Sequence, residues 1–257
     1  MGTLYTTEMT SLAVFTEHSD LHKRAKQLAN HLDLPFCSTL AAYDFLLTLT
    51  PDGLSLQKNN EKTKPLYIDF LSGKLTYRTQ HATTRNEILI RALGLKKQQH
   101  ATIIDATAGL GRDSFLLASL GFSVIALERS PIVFSLLNDG IKRGQTDIDT
   151  AMILARITWL QTNAIDWLKK SAPVDYIYLD PMFPERKKSA LVKKEMRFFH
   201  DIIGNDDDAE LLLQTAFACA TKRVVVKRPT LAGTLGNKQA DFSLQGSSSR
   251  FDVYLRP

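Results

Sequence analysis

At residues 178–194 the chain reads YLDPMFPERKKSALVKK. Asp180, Pro181 and Phe183 follow VDYIYLD (174–180), an apolar run that reads as a buried strand. An acid at the carboxyl end of such a strand lies beside the crevice where open α/β sheets place their chemistry. The Asp180 carboxylate and the Pro181 carbonyl can accept the N–H groups of a planar amine. They would orient its nitrogen for in-line attack and stabilise the positive charge that develops. Phe183 supplies a flat surface on which an extruded base can stack, and the prolines hold that ring in place.

The next residues are basic. Within 184–197 six cations (Arg186, Lys187, Lys188, Lys193, Lys194 and Arg197) stand against Glu185 and Glu195. Such a cluster is more often a solvated face than a binding site. Directly after a proposed base pocket, it is expected to hold the phosphates of the strand that carries the target base. A second basic stretch, TKRVVVKRP (221–229), adds Lys222, Arg223, Lys227 and Arg228, of which Lys227 and Arg228 are expected to meet the nucleic acid, with pairing of some of these cations to local acids as the alternative.

A second set of residues lies upstream, in DATAGLGRDSFLLASLGF (105–122). Asp105 ends a strand, Gly109 and Gly111 let the backbone approach a ligand, and Arg112-Asp113 open a helix whose N–H groups face a polar or anionic group. Glu128 closes the following strand, where a carboxylate can accept both ribose hydroxyls of an adenosine. Arg129 beside it is placed to pair with a ligand carboxylate. Thr162 and Asn163, just past ITWLQ (157–161), are expected against an adenine, although Asn163 is equally suited to cap the helix AIDWLKK. Dinucleotides and S-adenosylmethionine share this layout. The elements around it favour S-adenosylmethionine.

Those elements alternate from Thr102 onward. Strands are expected at TIIDA (102–106), SVIALE (123–128), ITWLQ, VDYIYLD and RVVVKR (223–228), with helices from about Asp113, Ile132, Ala164 and Asp208. DFSLQ (241–245), GSSS and RFDVYL (250–255) then read as an antiparallel hairpin. Five parallel units and a terminal hairpin match the seven-stranded sheet of methyltransferases. Residues 1–80 read as a small N-terminal α/β domain, with a helix at LHKRAKQLANHL (21–32) and a hairpin in LYIDFLSGKLTYR (66–78) turning at Ser72-Gly73. Residues 81–257 form the expected catalytic domain, entered through a connecting helix near 85–95.

Composition narrows the class further. A chain of 257 residues with 44% hydrophobic content buries a substantial core, and a net charge of +5 suits a polyanionic partner without requiring one. Cys37 and Cys219 have no metal-ligand spacing, so neither a metal site nor a disulfide framework is expected. No run is long enough to span a membrane, no export signal is evident, and the expected location is cytoplasmic. The Met-Gly-x-x-x-Thr pattern at the N-terminus is too loose to indicate a lipid anchor.

Asp-Pro-Met-Phe resembles the Asp/Asn-Pro-Pro-Tyr/Phe motif of methyltransferases acting on exocyclic amines of bases, with Met182 in place of the second proline. More broadly, DATAGLGRD, LER, YLDPMFPERKKSALVKKEMR, ATKRVVVKRP and RFDVY resemble the small-subunit ribosomal RNA guanine-N2 methyltransferases of the J type. That resemblance implies a class I S-adenosylmethionine-dependent fold with a seven-stranded Rossmann-like sheet. It implies methyl transfer to the N2 amine of one guanine in small-subunit (16S) ribosomal RNA, free or in an assembling subunit. By motif position it implies cofactor contacts at Arg112-Asp113, Glu128-Arg129, Thr162-Asn163 and Asp180. The residues alone also allow an adenine-N6 nucleic-acid methyltransferase or a non-catalytic RNA-binding assembly protein. An NAD-dependent dehydrogenase would leave Asp-Pro-Met-Phe without a use.

Overall fold

The structure is a computed structural model. It describes residues 11–38, 43–59, 61, 64–96, 100–182 and 206–256. These fall into two compact units, one ending at Ile68 and one beginning at Asp69.

In the first unit, β1 (Leu12–Phe15), β2 (Phe36–Cys37), β3 (Phe45–Thr50), β4 (Gly53–Lys58) and β5 (Leu66–Tyr67) form a sheet ordered β2-β1-β3-β4-β5. Helix α1 (His22–Leu32) turns Ala25 and Ala29 inward and ends at Asp33, in the left-handed conformation with φ 53°. β1 runs parallel to both of its neighbours, while β3, β4 and β5 are antiparallel.

The second unit opens with α2 (Gly73–His81) and α3 (Ile88–Leu93). Here the expectation of a hairpin turning at Ser72-Gly73 is corrected. Leu66, Ile68 and Phe70 do alternate into buried positions, but Ser72 then begins a helix, its carbonyl accepting from the amides of Leu75 and Thr76 at 3.0 Å. The Ser72 side chain makes no capping bond, so the turn is closed by its backbone carbonyl alone. Helix α3 lies within the connecting helix expected near 85–95, and Leu89, Ile90, Ala92 and Leu93 are buried in the core.

The alternation that follows is β6 (Thr102–Asp105), α4 (Arg112–Ser119), β7 (Ser123–Glu128), α5 (Pro131–Gly144), α6 (Ile148–Leu154), β8 (Ile157–Gln161), α7 (Ala164–Lys170), β9 (Val174–Leu179), α8 (Ala209–Cys219) and β10 (Ala220–Pro229). β11 (Phe242–Gln245) and β12 (Ser249–Leu255) close the chain as the expected antiparallel hairpin. Among the described residues seven strands join in the order β11-β12-β10-β9-β6-β7-β8. β8 through β10 pair in parallel, and β12 is antiparallel to β10. Two apolar clusters cover the faces of this sheet, one around Leu117, Phe122 and Tyr176, the other around Ile165, Leu213 and Val224. Helix starts are set by local chemistry: Ser130 with Pro131 begins α5, Asp147 accepts from Thr150 N at 2.8 Å to begin α6, and Asn163 begins α7. No helix among the described residues is long and apolar enough to cross a membrane.

The order reverses between β6, which continues to β7 and β8, and β9, which continues to β10. The crevice of an open α/β sheet forms at such a switch point.

The glycine loop after β6 is shaped by Gly111, which has φ 72°. A Cβ there would lie 2.8 Å from Leu137 Cδ1 and 2.9 Å from Trp159 Cη2. Gly111→Ala therefore meets both left-handed strain and a packed wall, and should cost about 2–4 kcal/mol. Urea unfolding measures this directly. Gly109→Ala, at φ 51° with only Thr107 O within 4 Å of the added carbon, should cost no more than about 1–2 kcal/mol.

Candidate active site

The carboxyl ends of β6 and β9 are neighbours because Ile103, Ile104 and Asp105 pair with Tyr176, Ile177 and Tyr178. One more bond, Ala106 N to Tyr178 O at 3.0 Å, extends the pairing past the strand end. The two functional loops then part. They remain joined by the amide of Asp180, which donates to Thr107 Oγ1 at 2.6 Å.

Asp105 and the glycine loop form the cofactor side. Asp105 is 1% exposed, accepts from Thr107 N at 3.2 Å and is hydrogen-bonded to the Ser114 hydroxyl. It was expected to meet the cofactor. Its burial instead makes it the pin that joins the strand end to the start of α4. Burial, with Asp113 and Asp180 nearby, pushes its carboxyl up to about 7. Gly109 turns its N–H onto Glu128 Oε2 at 2.9 Å, and Ser130 N donates to Oε1 at 2.7 Å. These two bonds fix the Glu128 carboxylate at the end of β7. A carboxylate offers about four lone-pair sites, so acceptors remain for a ribose diol. Burial raises the Glu128 pKa, with the Ser130 and Gly109 amides working against it.

Thr162 follows β8 and donates its amide to Glu128 O at 2.9 Å, which puts it beside the Glu128 end of β7. Asn163 caps α7, its Oδ1 accepting from Ile165 N at 2.8 Å and Asp166 N at 3.3 Å. Thr162 also lines a groove with Asp166, Trp167 and Lys170 of α7 and Ser171 just after it. Arg112 is exposed at the first turn of α4.

Arg129 has a different place from the one expected. Its guanidinium donates to both carboxylate oxygens of Asp208 at 2.9 Å and to Asp206. Asp206 also accepts from Met182 N at 2.6 Å. Arg129 thus ties the Asp180-Pro181-Met182 turn to the start of α8, and two acids already occupy the donors expected to hold a ligand carboxylate.

Asp113 and Asp180 face one another across Lys227. The Lys227 ammonium donates to Asp180 Oδ2 at 2.7 Å and to Asp113 Oδ2 at 3.1 Å. Asp113 also accepts from Tyr178 Oη at 2.7 Å and Arg78 Nη1 at 3.4 Å, and Arg78 pairs in turn with Glu87. Burial works to raise the Asp113 pKa, but Lys227 and Arg78 outweigh it and hold the carboxyl below its usual range. For Asp180 the burial effect exceeds the pull of Lys227, and its carboxyl lies above the usual range. Lys227 is raised, because its two acids outweigh the cost of desolvation.

The expectation that Lys227 and Arg228 meet RNA is corrected. Successive strand residues point to opposite faces. Lys227 enters the crevice, and Arg228, 6% exposed, donates to Gly233 O at 2.7 Å. Pro181 is buried. Phe183, Arg186, Lys187, Lys188, Lys193, Lys194 and Arg197 lie outside the described residues.

Sequence reasoning missed Thr107, Tyr178 and Arg78. Thr107 lies inside the loop already singled out, and its hydroxyl was the available signal. Arg78 sits on a helix misread as a strand, so nothing pointed to it.

Asp105 gives a test of this geometry. Its folded pKa lies above its ordinary value of 3.8, so its contribution to stability is largest below about pH 4 and is lost as pH rises towards 7. Asp105→Asn can keep both hydrogen bonds, with its amide donating to Ser114 and its oxygen accepting from Thr107. It should remove that pH dependence and stabilise the protein at pH 8. Thermal unfolding of both proteins between pH 5 and pH 8 checks the sign.

The fit to S-adenosylmethionine rests on donor chemistry: an anchored carboxylate suited to a ribose, a glycine loop with room beside Gly109, and two crevice carboxylates, Asp113 and Asp180, of the charge that suits a cationic ligand. Comparison with known proteins agrees. The family described as "Putative SAM-dependent methyltransferase" matches residues 27–256. A ribosomal RNA small subunit methyltransferase J of Thioalkalivibrio sulfidiphilus is 44% identical over 250 residues, covering 96% of this chain and 98% of that one. The protein of the same name from Coxiella burnetii is 43% identical over 242 residues, covering 90% and 91%. A solved SAM-dependent methyltransferase from Neisseria gonorrhoeae superposes with a TM-score of 0.72 at 33% identity, covering 95% of each chain. With a seven-stranded sheet that superposes on a solved methyltransferase, an anchored Glu128 and relatives alike along nearly their whole length, the chain belongs to the S-adenosylmethionine-dependent methyltransferases, in the family of the ribosomal RNA small subunit methyltransferases J.

Proposed function

We propose that the protein methylates the exocyclic N2 amine of a guanine in small-subunit ribosomal RNA, in the cytoplasm, on free RNA or on an assembling subunit. One observation carries this reading beyond the family name: Asp180 stands at the carboxyl end of β9, its amide bonded to Thr107 and its carboxylate to Lys227, at the switch point of the sheet. It leads directly into Pro181-Met182-Phe183, the motif associated with amine acceptors.

When bound, S-adenosylmethionine supplies an electrophilic methyl carbon on a positively charged sulfur; a nitrogen–carbon bond forms as the sulfur–carbon bond breaks, and the methylated amine sheds a proton. The chain's own residues act on the acceptor and on the site. An exocyclic amine has its lone pair delocalised into the ring, so it must be oriented as it reacts. Asp180 accepts its N–H, and Pro181 O offers a second acceptor. Asp113 and Asp180 place negative charge where positive charge resides, while Glu128 holds the ribose. Phe183 supplies the stacking face for the extruded base, and the basic residues of 186–197 supply phosphate contacts. Transfer of labelled methyl to ribosomal RNA, followed by nucleoside analysis, separates N2-methylguanine from N6-methyladenine and from a protein that only binds.

Two substitutions test the roles. Asp180→Ala should slow single-turnover methyl transfer by roughly 10²-fold or more at saturating cofactor and RNA, and Asp180→Asn should retain part of the rate, since an amide oxygen still accepts. An unchanged rate in Asp180→Ala removes the acceptor role. Glu128→Ala should weaken cofactor binding by about 1–3 kcal/mol in calorimetry, because the ribose loses a charged acceptor and the loop loses the anchor of Gly109.

A further inference from the structure

Two carboxylates meet in the crevice, Asp113 from α4 and Asp180 after β9, and the buried Asp105 of β6 is close enough to act on both electrostatically. The described charged and titratable groups around Asp180 are Lys227 from β10, Asp113, Asp105, the Tyr178 hydroxyl on β9 and Asp206 before α8. Arg78 from α2 reaches Asp113, 3.4 Å away. Asp113 has two cations and a phenol. Among the described residues the cation bonded to Asp180 is Lys227, 28% exposed, at 2.7 Å from a carboxylate that is itself 39% exposed.

This matters for an amine acceptor. Crowded by like charges in a partly desolvated crevice, an aspartate takes up a proton readily, and a protonated acid turns one of its two acceptor oxygens into a donor. The reacting amine brings only donors. A nearby ammonium favours the ionised form, and by binding Oδ2 it leaves Oδ1 as the acceptor for the substrate. A phosphate-binding role, by contrast, needs a lysine that reaches outward, and Lys227 is turned between two acids.

We propose that Lys227 is a positioning residue for methyl transfer: its ammonium keeps the Asp180 carboxylate ionised and fixes it for the amine of the target base. This rests on the reading of Asp180 as the amine acceptor. Bridging Asp180 to Asp113, Lys227 also links the acceptor side of the crevice to the helix that follows the cofactor loop.

The first measurement needs no substrate. Carboxyl-carbon NMR titration of the full-length protein, with the Asp180 signal assigned by its loss in Asp180→Asn, gives the ionisation midpoint of Asp180. Lys227→Met should raise that midpoint by about 1–3 pH units, and Lys227→Arg should return it to within about half a pH unit of the wild type. Lys227→Gln should behave as Lys227→Met does and serves if the methionine variant does not fold. The second measurement is the pH dependence of single-turnover transfer to ribosomal RNA. Its acidic limb should move upward with the NMR midpoint in Lys227→Met, and Lys227→Arg should restore it. In an Asp180→Asn background, Lys227→Met should leave the limb where it was. An unmoved NMR midpoint in a folded Lys227→Met or Lys227→Gln protein overturns the proposal. Wild-type protein that transfers no methyl to ribosomal RNA overturns the substrate reading instead, and the NMR titration still decides the role of Lys227.

Discussion

The parallel pairing of β6 with β9 is the constraint from which the site follows. It brings together two chain segments more than seventy residues apart and sets their ends at the same height, so that Thr107 Oγ1 can accept from Asp180 N. With this one side-chain bond the loop that shapes the cofactor side and the turn that shapes the acceptor side share a fixed distance. Methyl transfer in line needs such a fixed distance, since a displacement of about 1 Å at reacting atoms can cost orders of magnitude in rate. The outer strands contribute the remaining groups in sequence: β7 brings Glu128, β8 leads to Thr162, and β10 brings Lys227.

That arrangement creates an electrostatic problem. A site for a positively charged sulfur is favoured by acids, yet Asp105, Asp113 and Asp180 repel one another and resist burial. Each acid meets this differently. Asp105 is buried with hydrogen bonds and no described ion pair, and its pKa rises to about 7, so it is largely protonated in mildly acid solution. Asp113 sits between Lys227 and Arg78 and remains ionised. Asp180 shares Lys227 and stays partly open to water. Desolvation is thus balanced by protonation in the first case, by cations in the second, and by solvent together with a shared cation in the third.

Much of this was legible in the sequence because the determinants are local. SVIALE and ITWLQ are strands with the expected bounds, since β-branched and aromatic residues fill positions on a covered sheet. Asn163 and Ser130 cap helices where their types require it. The readings failed where a choice depended on tertiary partners. KLTYR carries β-forming Thr76 and Tyr77, but it is helical in α2, from which Arg78 reaches Asp113 and Glu87. The short helix α6, begun by Asp147, was not anticipated, because seven residues give too little periodicity to detect. Arg129 was correctly placed beside Glu128, yet its partners Asp206 and Asp208 come from 77 and 79 residues away.

The basic stretch TKRVVVKRP shows why charge counts along a chain mislead about RNA. In a strand, adjacent residues are separated by the sheet itself, so a run of cations cannot present one continuous surface. Lys222 pairs with Asp175, Lys227 enters the crevice, and Arg228 is buried beneath the Gly233 carbonyl. Arg78, Arg129, Arg143 and Arg250 are likewise committed to acids. A cation already paired releases fewer counterions on meeting a phosphate, because its field is largely cancelled before the polyanion arrives. Lys222, Lys227 and Arg228 are therefore each already engaged by groups of the fold itself. The same reasoning makes Lys227 more consequential than a surface lysine: exchanging one exposed phosphate contact weakens binding modestly, whereas removing an ammonium shared by two carboxylates leaves both without their common counter-charge inside the crevice.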